Sequence, residues 1–332
     1  MRILYVNKNI NLSKPIVDQL IKMGFEVDVL IESSPSVENK FSFVHKMINI
    51  FYRLILKDKT YFLKREKRLF EKFAEKQLQM KHYDIAFFIR ADMFSESLIK
   101  RVKQRSEKMV CYQWDGLGMY PRIFNYIKYF DRFLVFDSQD IKDYPDYRLL
   151  PITNFHYSDN TDLLEEDYDF FYIGVGLEER LKLIHNVEQF SEQNGKKLKA
   201  ILTVPIFRSE SVTPAVTLQH YSISLQENES YARRSKSIID FKMDEHDGAS
   251  FRVFECLQRE QKLISNNHEL KNYDFYHPNN IFITDFEDFN GLDEFLQKPY
   301  HKIDQKIVEK YGVKNWLKYA LDYGDYETIK LL

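Results

Sequence analysis

Short apolar runs alternate with longer mixed runs along the whole chain, and the two spacings predict different elements. Residues 2–6 and 26–31 are apolar enough for buried strands, and the segment between them, 13–23, repeats its apolar residues at helical spacing. Gly24 follows where that helix should stop. Residues 84–89 (Asp-Ile-Ala-Phe-Phe-Ile) predict a third strand and 95–105 a helix. Strands follow at 108–113 and 132–136, with a helix over 122–129 between them. Strands that alternate with helices specify βαβ units and a parallel sheet.

The pattern then restarts. Residues 145–167 are rich in acids and Asn and contain Pro151, which reads as a linker. A strand at 169–173 ends on Gly174-Val175-Gly176 and leads into a helix over 177–193. Further strands are predicted at 198–204, 237–241, 262–264 and 281–284, and a helix over 303–321 carries Trp316. The expected architecture is therefore α/β, with two Rossmann-like parallel-sheet domains facing across a cleft. Residues 1–157 form the first domain, with a basic helical insertion at 40–81, and 165–300 form the second. Residues 301–332 form a C-terminal helix that returns toward the first. Ligands of open parallel sheets collect at the carboxyl ends of the strands.

Composition narrows the class. A chain of 332 residues with 44% hydrophobic and 30% charged residues is an ordinary folded protein, above the usual size of one core. The net charge of −2 gives no general attraction to nucleic acid. Two cysteines, Cys111 and Cys256, lie in apolar segments and suit a reducing compartment. The opening residues read as a strand and no apolar run approaches the ~20 residues of a membrane span, so a cytoplasmic protein is expected. Charge is unevenly placed, however. Residues 40–81 hold twelve Lys/Arg against four acids, a local +8 that leaves −10 to the rest. Phe, Ile and Leu are interleaved with those charges. That pattern fits amphipathic helices with a solvated basic face, and equally a surface for an anionic membrane or a lipid-linked acceptor.

Candidate chemistry gathers in two places. In the second half, Gly248 and Ser250 stand where a loop becomes a helix, followed by Arg252 and Glu255 three apart on neighbouring positions of one helix face. Helix starts present free N–H groups, a guanidinium pairs with phosphate, and a glutamate accepts from vicinal ribose hydroxyls. Gly174 lies where backbone must approach a pyrophosphate closely, and Arg180 follows one turn into the next helix. Asp240 ends a strand at the same predicted edge. In the first half, Trp114-Asp115-Gly116 ends a strand. Asp115 is the first candidate for a base taking the acceptor proton, and Asp92 the second. Arg90 can hold an anionic acceptor or pair with Asp92, and Trp114 and Tyr120 can stack on a sugar face. Neither a phosphate-loop motif nor His-Glu-x-x-His occurs, and the histidines show no metal-ligand spacing. Asp167-Tyr168-Asp169 imitates a metal-binding Asp-x-Asp but reads as the end of the linker.

The succession Tyr172-Ile173-Gly174, Arg180, Ser237-Ile238-Ile239-Asp240-Phe241, Gly248-x-Ser250-x-Arg252-x-Phe254-Glu255 and Leu263-Ile264-Ser265-Asn266-Asn267 resembles the donor half of GT-B glycosyltransferases. It is most similar to the group 1-like, spore-maturation-type branch associated with capsule and lipopolysaccharide synthesis. The first-half segments 112–116 and 129–137 resemble polysaccharide-biosynthesis members of that branch. The resemblance implies a metal-independent glycosyltransferase with no cofactor, whose UDP- or GDP-linked sugar donor is held through Gly174, Arg180, Asp240, Gly248, Ser250, Arg252 and Glu255. It implies a glycan or lipid-linked acceptor, and the basic segment 40–81 offers a route to the inner face of the membrane. The second donor-site glutamate of better-known members is missing at its usual spacing, the nearest acids being Glu245 and Asp247. An Asp-x-Asp metal-dependent transferase and a non-catalytic sugar- or nucleotide-binding protein are the alternatives.

Overall fold

A computed structural model describes residues 1–8, 10–31, 47–48, 50–52, 61–78, 81–157, 162–204, 213–221, 223–242 and 248–331. The chain divides into two compact units. One comprises residues 1–135, 140–150 and 317–325, the other 136–139, 151–316 and 326–332.

The first unit is built on β1 (Arg2–Asn7), α1 (Ile10–Lys22), β2 (Glu26–Ile31), α2 (Tyr61–Leu78), β3 (Tyr83–Ile89), α3 (Glu96–Lys103), β4 (Ser106–Gln113), β5 (Arg132–Val135), α4 (Ser138–Asp143) and β6 (Leu149–Pro151). Its six strands form one parallel sheet in the order β2-β1-β3-β4-β5-β6. β1, β3 and β4 are buried on both faces, as their unbroken apolar runs require. One face packs Leu4, Val6, Phe88 and Cys111 against Phe70, Ala74 and Leu78 of α2 and Leu98, Ile99 and Val102 of α3.

The second unit contains β7 (Tyr168–Val175), α5 (Glu178–Gln193), β8 (Leu198–Thr203), β9 (Val216–Gln219), α6 (Leu225–Arg233), β10 (Ser235–Asp240), α7 (Phe251–Arg259), β11 (Lys262–Ser265), β12 (Ile281–Ile283), α8 (Leu292–Gln297), α9 (Gln305–Lys310) and α10 (Val313–Leu321). The sheet runs β12-β11-β10-β7-β8-β9, again parallel. Read from β9, that is the doubly wound order in which the chain reverses direction between β7 and β10. Two apolar layers cover its faces, one centred on Phe171, Val253, Phe254 and Leu263, the other on Phe170, Tyr172, Ile239 and Phe286.

Several elements depart from the sequence pattern. The expected helix over 122–129 is a pair of 3-10 turns, Pro121–Asn125 and Ile127–Tyr129. Ile123 and Tyr126 are buried three apart, a spacing that 3-10 winding keeps on one side. The expected helix over 303–321 is broken into α9 and α10. At the break, His156 bonds the backbone on both sides, its N–H donating to the Tyr311 carbonyl (3.1 Å) and its carbonyl accepting from Val313 (2.9 Å). Residues 152–156, inside the expected linker, are buried. The Trp316 indole donates to the Thr153 carbonyl at 2.7 Å, and Phe155 packs 4.4 Å from the Trp316 ring. From Leu317 the chain counts with the first unit. There Arg132 donates to the Tyr319 and Ala320 carbonyls (2.9 and 3.0 Å) and Lys108 to that of Leu321 (2.8 Å), capping the C-terminus of α10 with cations.

Candidate functional site

In the second unit, β10 delivers Asp240 to the carboxyl edge of the sheet, where it is buried. Two donors converge on its Oδ1: the Ser250 hydroxyl at 2.7 Å and Arg252 Nη1 at 3.1 Å. Arg252 Nη2 donates to the Ile173 carbonyl near the end of β7. One guanidinium therefore straddles the ends of β7 and β10, the two strands between which the sheet order reverses. Ligands of doubly wound sheets bind at that switch point. Ser250 occupies the N-cap of α7, but its hydroxyl serves Asp240 and makes no cap bond, and the first turn holds no acid. The helix start is left electropositive.

Tyr172 completes the group. Its ring lies 5.4 Å from Arg252 Cζ. Burial pushes its phenol up, while the charges of Arg252 and Arg180 pull it down. Two arginines from different helices thus flank one phenol. Among the described residues, Asp240 opposes them on the phenol, and Glu255 bears on Arg252 while pairing with Arg259. A Cβ on Gly174 would overlap the Tyr172 hydroxyl, and one on Gly248 would overlap the ring of Phe136. Both glycines are required by packing inside the protein. Glu255 turns to Arg259 (3.6 Å) rather than to Arg252, and 16% of its side chain is exposed.

The first unit presents a separate group at the ends of β3 and β4. Arg90 adopts the left-handed conformation (φ 59°), uncommon for a residue with a Cβ. Its Nε and Nη2 grip both oxygens of Asp92 at 2.8 Å, its Nη1 pairs with Asp115, and its Cζ sits 3.9 Å from the Tyr120 ring. Gln113 Nε2 donates to Asp92 at 3.0 Å. Asp140 steadies the loop beyond, both its oxygens accepting from the Leu117 N–H at 3.0 and 3.1 Å. Trp114 is half-buried.

No family model and no curated protein matches the sequence. Solved structures do. A trehalose-6-phosphate synthase superposes with a TM-score of 0.55 at 12% identity, over 97% of this chain and 98% of that one. The Anabaena protein HepE in complex with UDP-glucose gives 0.55 at 9%, over 97% and 98%. UDP-GlcNAc 2-epimerase from Methanocaldococcus jannaschii gives 0.52 at 10%, over 98% and 100%. The chain has the GT-B fold.

Within this GT-B chain the twelve candidate residues fall into the two groups described. Gly174, Arg180, Asp240, Gly248, Ser250 and Arg252 meet around the ends of β7 and β10, with Glu255 one turn along α7. Arg90, Asp92, Asp115 and Tyr120 meet in the first unit, beside Trp114. Tyr172, Gln113 and Asp140 were missed, although Gln113 is visible as a polar residue closing an apolar strand. Asp167 and Asp169 lie at the opposite end of β7 from Gly174. Asp167 pairs with Arg234 at 2.5 Å, and Asp169 accepts from the Lys197 N–H at 2.9 Å. Among the described residues, no group of three or more His, Cys, Asp or Glu could hold a metal ion. Of the basic segment 40–81, only 47–48, 50–52, 61–78 and 81 are described; the rest lies outside the described residues, as do Glu245 and Asp247. Among the described residues, no helix is long and apolar enough to cross a membrane.

Proposed function

We propose that this protein is a glycosyltransferase that moves a sugar from a nucleotide diphosphate donor to a hydroxyl of a surface glycan or glycolipid. The observation that carries this reading is Arg252, which with Arg180 flanks the Tyr172 phenol at the switch point of a doubly wound sheet. That is where such folds hold a diphosphate. The structural neighbours support a sugar-nucleotide ligand, since one of them is bound to UDP-glucose. The motif order of the donor half favours the capsule- and lipopolysaccharide-associated branch, and the basic segment 40–81 favours work at the inner membrane face.

In this reading Arg252, Arg180 and the N–H groups opening α7 meet the diphosphate, and Glu255 accepts from the ribose. As transfer proceeds, the acceptor oxygen bonds to the anomeric carbon and the bond from that carbon to the diphosphate oxygen breaks. Its electron pair leaves on the diphosphate, and the hydroxyl proton passes to a carboxylate. Asp115 suits that task better than Asp92, because 29% of its side chain is exposed against 6%. Positive side chains and helix-start N–H groups, with no metal ion, offset the leaving charge.

The test is calorimetric titration with UDP and GDP. Arg180→Ala and Glu255→Ala are each expected to weaken nucleotide binding by at least ~1.5 kcal/mol, the scale of a lost charged hydrogen bond. Unchanged affinity in both variants would remove the donor-site assignment. Transfer that persists in EDTA is expected, and its loss would favour the Asp-x-Asp alternative. Isomerised sugar nucleotide without release of the diphosphate would point to the epimerase chemistry that this fold also hosts.

A further inference from the structure

The sequence offers Arg90, just beyond β3, two roles: holding an anionic acceptor or pairing with Asp92. The structure shows the pair. Three of the Arg90 nitrogens face two carboxylates, Nε and Nη2 toward Asp92 and Nη1 toward Asp115, while the Tyr120 ring covers its face. Only 5% of the side chain is exposed. Releasing Arg90 to a ligand would leave the Asp92 carboxylate buried and unpaired, which folded proteins avoid.

What remains to greet a ligand is an acceptor-rich lining. One guanidinium against two carboxylates leaves Arg90, Asp92 and Asp115 with a net charge of −1, and Asp115 is the most exposed of the three. Gln113 is fully buried and spends its amide nitrogen on Asp92, holding that carboxylate in place. The partly exposed Asp115 carboxylate accepts hydroxyl protons and repels anions. Trp114, between Gln113 and Asp115 in the chain and half-buried, carries the kind of aromatic ring that stacks on the C–H face of a pyranose. Arg90 makes its contacts from a left-handed backbone, a conformation uncommon for a residue with a Cβ.

We propose that the acceptor meets this cluster as a neutral saccharide, its hydroxyl donating to Asp115, and that phosphate or carboxylate beside the reacting hydroxyl is refused. Arg90 and Asp92 are positioning residues for Asp115. The inference rests on the transferase reading above.

The test is an array of neutral, carboxylated and phosphorylated oligosaccharides, incubated with the full-length protein and a mixture of UDP- and GDP-linked sugars. Transfer is read by mass, and UDP binding is measured alongside. Product is expected on neutral members, at least ten-fold less on acidic counterparts of the same sequence. Asp115→Asn should lose at least a hundred-fold in product while binding UDP as the parent does. Equal or greater transfer to acidic members overturns the neutral-acceptor inference and leaves the transferase reading intact. Full activity of Asp115→Asn likewise overturns the assigned role of Asp115 alone. UDP binding with no product on any member overturns both.

Discussion

Gly248 precedes Ser250 at the start of α7, and Phe136 occupies the space where a Cβ on it would go. Gly248→Ala is therefore expected to destabilise by about 1–3 kcal/mol, the usual cost of overpacking, in urea or thermal unfolding. Trimming the ring with Phe136→Leu in the same chain should recover part of that loss, because neighbouring sites couple. Lys262 supplies a second residue-scale prediction. It is buried, with its Nζ donating to the Phe295 carbonyl, and burial, then Lys236 and Lys298, depress its pKa to about 8. An unfolded lysine titrates near 10.4, so between these values the unfolded chain binds the extra proton. Stability contributed through this group should rise from pH 8 to about 10.5 and be lost below pH 8. Lys262→Met should flatten that rise and gain on the order of 1–3 kcal/mol at pH 7, read by chemical denaturation across pH.

At the scale of elements, the strand–helix alternation was legible because the central strands are buried on both faces and so run apolar without interruption. β9 and α6 were not, since their residues include Gln219, Gln226, Glu227, Asn228 and Glu229 and carry little periodic signal. The breaks at 121–129 and 311–312 escaped for another reason: each is decided by packing partners distant in sequence. The same divide runs through the candidate site. Ser250, Arg252 and Asp240 could be read from spacing around a helix start and a strand end. The choice of Glu255 between Arg252 and Arg259 could not, because both lie one turn away on α7. That helix start also gives a test. Ser250→Ala removes one of the two donors on buried Asp240 without touching a cap bond, and should cost about 1–2 kcal/mol in unfolding measurements. Ser250→Thr, which keeps the hydroxyl, should recover most of it.

For the whole molecule, the two units are each closed by pieces remote in sequence. Residues 317–325 belong to the unit formed by 1–135 and 140–150, and Leu317, Ala320 and Leu321 are fully buried. A chain ending at Trp316 would uncover those contacts and strip the partners of Arg132 and Lys108. Amides of β4 and β5 are then expected to exchange hydrogen at least ten-fold faster than in the parent, while β10 and β11 change much less. Equal protection in both chains would show that the returning segment contributes nothing to the first sheet.

This discontinuity has a consequence for how the protein comes into being. On the ribosome, β5 emerges long before the stretch from Leu317 that completes its unit. At 5–20 residues per second the wait is on the order of ten seconds or more. Through that interval the first-made half stands unfinished while the later half is still being translated, a window in which chaperones would find their substrate.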